Sequence, residues 1–105
     1  MQSYIQIHAD ETLYLYEILD DYLREVYVVR KLVDQRFRQV VDYIRSFLVH
    51  IETVCFVPLS LGQINILDEA LINAADYGVL EENHNYHIRI SNEIKIQRNT
   101  LLSIR

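Results

Sequence analysis

The stretch ETLYLYEILDDYLREVYVVRKLVDQRFRQVVDYIRSFLVHI, residues 11–51, decides how the rest of the sequence must be arranged. It holds neither glycine nor proline. Its apolar positions are Leu15, Leu19, Tyr22, Val26, Val29, Val33, Phe37, Val40, Ile44, Phe47 and Ile51, each three or four residues after the last. That spacing keeps one face of a helix apolar, with a single stutter from Val29 through Val33 to Phe37. Asp20 with Arg24, Asp34 with Arg38 and Asp42 with Arg45 place opposite charges at helical spacing on the outer face. Asp10 suits the N-cap, and Glu11 suits the positive end of the helix dipole.

Length turns this pattern into a question of shape. A helix of some forty residues is roughly 60 Å long, whereas a compact chain of about 100 residues has a radius of gyration near 13 Å. The apolar seam therefore either folds back near residues 31–36 or packs on another chain. That region offers no glycine for a turn, and a reversal would have to use Asp34 or Gln35. The favoured expectation is a continuous or gently bent helix that dimerises through Leu15, Leu19, Tyr22, Val26, Val29, Val33, Phe37, Val40, Ile44 and Phe47. The alternative is a two-helix hairpin within a monomer.

Composition narrows the class of function. At 105 residues the chain is one domain, 1–105, and with half its residues apolar and a quarter charged it is globular. Ten Lys and Arg against fifteen Asp and Glu give a formal charge of -5, the wrong sign for binding phosphate backbones without sequence preference. Two glycines and one proline leave no room for a phosphate-cradling loop. The single cysteine, Cys55, excludes an internal disulfide framework and reads as a small buried hydrophobe in Val54-Cys55-Phe56-Val57. Residues 1–8 carry neither a basic nor an apolar leader segment, and no apolar run is long enough to span a membrane, so the expected location is the cytoplasm.

Outside the long stretch, Ile5 and Ile7 alternate with Gln6 and His8 and predict a short strand. Residues 53–57 are β-branched and aromatic, either a strand or the frayed end of the long helix, and Pro58 ends what precedes it. Ser60-Leu61-Gly62-Gln63 is a capping box. The helix it opens covers residues 61–77, with Ile64, Leu67, Leu71 and Ala74 on one face and Gly78 at its C-terminal end. Beyond Gly78 the period changes to two: Tyr86, Ile88 and Ile90 alternate with His87 and Arg89, and Ile94 and Ile96 with Lys95 and Gln97. This predicts a small antiparallel β-hairpin or meander.

The order of capped helix, glycine, short strand and alternating hairpin over residues 59–98 resembles the second half of a winged helix. In a DNA-reading member of that class the helix before the wing enters the major groove. Here that helix bears Asp68, Glu69 and Asp76 and no Lys or Arg, so the resemblance implies a protein partner and argues against nucleic acid. Arg45 and His50 form an R-x4-H spacing similar to the catalytic motif of HEPN-type ribonucleases. The resemblance implies His50 as acid or base and Arg45 as the stabiliser of phosphorane charge. Departures are the all-helical build of those enzymes and the late position of their motif, which is central here. His84 and His87, with His8 the only further candidate, form no metal-ligand set, because strand residues three apart face opposite ways.

Arg24, Arg30, Lys31, Arg36, Arg38 and Arg45 hold six of the ten basic residues, on a solvated face or on a docking strip for an acidic partner. Eight tyrosines, four of them between residues 14 and 27, add side chains of the type enriched at interfaces. The combined reading is an α+β domain: a long N-terminal helical element, a second helix and a small antiparallel sheet, winged-helix-like in its C-terminal half. Its expected function is a non-enzymatic protein–protein interaction module (a small subunit, adaptor or inhibitor) that self-associates, with a dimer as the expected form. A winged-helix transcriptional regulator and an RNase acting through Arg45 and His50 are the alternatives. No cofactor, metal or membrane is expected.

Overall fold

The long helical stretch folds back on itself. In the computed structural model, which describes residues 1–103, strand β1 (Ser3–His8) leads through a 3-10 turn (Ala9–Glu11) into helix α1 (Thr12–Arg24). Helix α1 runs on into a π-helical turn (Glu25–Val29), and the chain then reverses into α2 (Arg36–Leu48). Strand β2 (Val54–Leu59), α3 (Leu61–Tyr77), a second 3-10 turn (Glu81–Asn83) and α4 (His84–Ser103) follow. Among the described residues the architecture is α+β: four helices packed with one two-stranded antiparallel sheet.

The continuous helix favoured by the sequence is therefore not formed, and the reason lies in turn chemistry that needs no glycine. Lys31 adopts a left-handed backbone (φ 57°), which costs a non-glycine residue about 1–2 kcal/mol. Leu32 N–H reaches back to the Val26 carbonyl at 3.0 Å. The Tyr27 hydroxyl donates to the Asp34 carbonyl at 2.6 Å and accepts from Arg38 N–H at 3.0 Å. Asp34 Oδ1 accepts from Arg36 N–H at 2.9 Å. Tyr27 and Asp34 thus satisfy donors at the start of α2 that would otherwise be orphaned.

Folding back shelters the seam inside the chain. Leu15, Leu19, Tyr22, Val26 and Ile44 are buried, and Phe37, Val40 and Phe47 pack half-buried against the same core. Only Val29 and Val33 of the expected dimer interface stay exposed. The accessible surface of 6414 Å² is close to the roughly 6,200 Å² of a folded monomer of this mass. The radius of gyration, 13.3 Å, is likewise that of a compact chain. Seam length thus no longer requires a partner.

Strands β1 and β2 pair with Ile5 opposite Val57 and Ile7 opposite Cys55 on the buried face, and Tyr4 opposite Pro58 and Gln6 opposite Phe56 on the outer one. Pro58 does not end the strand. Its carbonyl accepts from the Tyr43 hydroxyl at 2.8 Å, away from the ladder, so the missing N–H falls on the open edge. Helix α3 begins as the capping box requires: Ser60 N–H donates to Gln63 Oε1 at 2.8 Å, and Gln63 N–H to Ser60 Oγ at 3.3 Å. Gly78, at φ 94°, closes it.

The β-hairpin expected over residues 86–96 is also not formed, and with it goes the wing on which the winged-helix likeness rested. Residues 84–103 are helix α4. Its buried positions, Ile90, Ile94 and Leu101, are helically spaced, whereas Ile88 and Ile96 face water and only imitate a two-residue period. Between the buried positions the inner face is completed by polar groups. Arg89 forms an ion pair with Glu11, and Ser3 Oγ donates to Gln97.

Candidate functional site

The turn between α1 and α2 is built from the two seam residues left outside together with their neighbours. Val28, Val29, Leu32 and Val33 are 65 %, 58 %, 40 % and 86 % exposed. The π-helical turn widens the end of α1, and the left-handed Lys31 then directs the chain away from the core before α2 starts. The result is four aliphatic side chains within six residues, set among cations. Arg36 is paired with Asp34 at 2.6 Å and Arg30 with Glu25 at 3.7 Å. Arg38 lies over the Tyr27 ring at 5.3 Å. Asp34 is held below the usual carboxylate range, first by its hydrogen bonds from Arg36. Beside the turn, Asp21, Arg24, Glu25, Val29 and Tyr77 line a cleft of about 290 Å³.

Between α2 and the start of α3 lies a second, open groove of about 410 Å³ with Phe37, Val40 and Ile66 as its apolar lining and Arg36, Gln39 and Gln63 as its polar one. Its one hydroxyl, Ser60, is committed to capping α3.

Arg45 and His50 are not brought together. Arg45 Nη2 is ion-paired with Asp20, and its guanidinium lies 5.7 Å from the centre of the Tyr16 ring, while His50 is exposed in the turn after α2 at φ 65°. Arg45 is thus a clamp between α1 and α2. The expected pairings Asp20 with Arg24, Asp34 with Arg38 and Asp42 with Arg45 are replaced by Asp20–Arg45, which the reversal brings together across α1 and α2, and by Asp34–Arg36 within the turn.

His84 and His87 lie on the first turn of α4, not on a strand. His84 Nε2 bonds the Val79 carbonyl at 2.8 Å, and His87 Nδ1 meets the Tyr14 hydroxyl at 2.6 Å. Burial, and then the nearby His84, lowers the His87 pKa; burial, and then Glu17, pushes Tyr14 up to about 12. The contact ties the first turn of α4 to α1. No group of three His, Cys, Asp or Glu among the described residues is placed to hold a metal ion.

The tyrosines also serve a purpose their composition did not reveal. Tyr14, Tyr16, Tyr22, Tyr27, Tyr43 and Tyr77 each hydrogen-bond another element or turn of the same chain. They act as internal staples, and aliphatic residues, not aromatic ones, dominate the exposed turn. Sequence reading missed Val28 and Leu32 because both lie off the seam. The doublets Val28-Val29 and Leu32-Val33 around Arg30-Lys31 were the available signal.

On α3, Asp68 is paired with Arg98 at 2.9 Å and Glu69 accepts from the buried Tyr22 hydroxyl, whose titration is displaced upward chiefly by burial. No described helix is long and apolar enough to cross a membrane. No protein-family model, curated protein or solved structure matches this chain.

Proposed function

We propose that the chain is a non-enzymatic interaction module, a small subunit, adaptor or inhibitor of a larger assembly, that self-associates through the turn joining α1 to α2. The observation that carries this reading is the exposure of Val28, Val29, Leu32 and Val33 in one turn. Burying an aliphatic side chain of this size yields about 1.5–3 kcal/mol, and a cluster of four is a reservoir that a binding partner would use. The titrating groups with displaced pKa values in the described residues are occupied in staples and ion pairs, which favours a binding role over a catalytic one. A reducing cytosol suits a chain whose one thiol, Cys55, is free and half-buried.

Light scattering over a concentration series tests the proposal. The wild-type mass is expected to rise above the 12.5 kDa of one chain as concentration increases. The Val29→Asp/Val33→Asp double variant is expected to stay at one chain. A wild-type mass of one chain at every concentration overturns the reading.

A further inference from the structure

The exposed turn carries its own chemical description of what it binds. Residues 24–38 contain five of the ten basic residues and two of the fifteen acidic ones, a net +3, while the rest of the chain carries -8. At the other end of α1 the signs are reversed. Leu13 and Leu80 are 72 % and 64 % exposed. They line a concavity of about 240 Å³ with Asp10, Glu17 and Glu82, and no lysine or arginine lines it. Sixteen residues of helix separate Leu13 from Val29, roughly 24 Å along the axis, so the two surfaces lie at opposite ends of one element.

Resting on the self-association proposed above, we infer that the occupant of the basic, aliphatic turn is the acidic end of a second copy of this chain, in a head-to-tail contact. Charge complementarity selects this arrangement over two others. A two-fold contact of turn against turn would set Arg30 and Lys31 against their own copies, and like charges repel across an interface. An anionic membrane would attract the turn but repel the -8 carried elsewhere, and Arg30 and Arg36 already have carboxylate partners. The acidic end supplies what the turn lacks: carboxylates for Lys31, which forms no ion pair among the described residues, and exposed leucines for Val29 and Val33. Such a contact leaves a free turn at one end and a free acidic end at the other. It therefore propagates into a ring or a filament and does not stop at a dimer.

Charge exchange tests the pairing. Arg30→Glu/Lys31→Glu takes the turn from +3 to -1, and Glu17→Lys/Glu82→Lys takes the lining of the acidic end from -3 to +1; all four side chains are exposed, and circular dichroism checks that both variants fold. In sedimentation velocity each variant alone is expected to associate at least about tenfold more weakly than wild type. An equimolar mixture of the two is expected to regain assembly, because each turn then meets an end of opposite sign. Wild-type association should also weaken as salt shortens the screening length from about 8 Å at physiological strength to about 3 Å at 1 M. If wild type associates but Glu17→Lys/Glu82→Lys associates equally well, the head-to-tail pairing is wrong while self-association stands. If wild type is monomeric at millimolar concentration, both fail. Binding of monomeric wild type to phosphatidylserine-rich vesicles, lost in Arg30→Glu/Lys31→Glu, would assign the turn to a membrane surface and overturn the inference.

Discussion

Glu11 shows how much one side chain can hold. It is almost fully buried, accepts from His8 N–H at 2.8 Å, and meets Arg89 through both oxygens, while Arg89 Nη2 also donates to the Gln6 carbonyl at 2.6 Å. One ion pair thus ties the first turn of the chain to α4 and to the edge of β1. Neutralising Glu11 leaves the part-buried Arg89 with the more distant Glu93, at 3.8 Å, as its remaining carboxylate. Glu11→Gln is expected to cost about 1–3 kcal/mol in urea unfolding, and adding Arg89→Met is expected to recover part of that loss. Additive losses in the double variant would contradict the coupling. The sequence shows Glu11 as a residue at a helix start and Arg89 as a cation in a polar tail. Nothing local connects them, because they are 78 positions apart.

His87 gives the same residue scale a pH dependence. Its folded-state pKa is lowered, by burial first, while the unfolded chain titrates near the ordinary value of about 6.5. Its contribution to stability is therefore complete above about pH 6.5 and is lost as pH falls through the folded-state value. Thermal unfolding between about pH 7.5 and 5.5 should show this decline in wild type and a flatter profile in His87→Gln. Equal profiles would show that the contact with Tyr14 does not control the titration.

At the scale of elements, local signals worked where they were strong and self-consistent. The capping box and Gly78 bound α3 at residues 61 and 77, and the Ile5/Ile7 alternation marks β1. Helix α4 was misread because Ile88 and Ile96 look outward while Arg89 and Gln97 make polar contacts inward, the reverse of what hydropathy assigns. The two readings separate cleanly by mutation. In a hairpin Ile94 and Ile96 share a buried face; in α4 only Ile94 is inside. Ile94→Ala is expected to cost about 2–5 kcal/mol, and Ile96→Gln no more than about 0.5 kcal/mol. Comparable losses at both sites would restore the hairpin.

The reversal at residues 30–35 was half legible. Asp34 was the one turn former within reach, but the element that completes the turn is a tyrosine seven residues earlier. Tyr27→Phe removes the donor to the Asp34 carbonyl and the acceptor for Arg38 N–H. It is expected to lower stability by about 1–2 kcal/mol without unfolding the protein. No change in the denaturation midpoint would show that the turn is held by packing alone.

Across the whole molecule, burial and exposure divide the apolar seam in two. Most of it forms the interior on which α1, α2 and α3 pack, which the three- and four-residue spacing alone could not distinguish from a dimer interface. The remainder, at the stutter where the helix turns back, is the surface proposed for self-association. The stutter was visible in the sequence; its meaning depended on whether the chain reverses there, and that depends on Tyr27, Lys31 and Asp34 acting together.

A nitrogen–proton correlation spectrum recorded through a dilution series reads that assignment amide by amide. The account predicts concentration-dependent shifts at residues 28–33, with the interior residues Leu19, Tyr22 and Ile44 unmoved. Shifts confined to the outer sheet face around Tyr4 and Phe56, or none at any concentration, would contradict it.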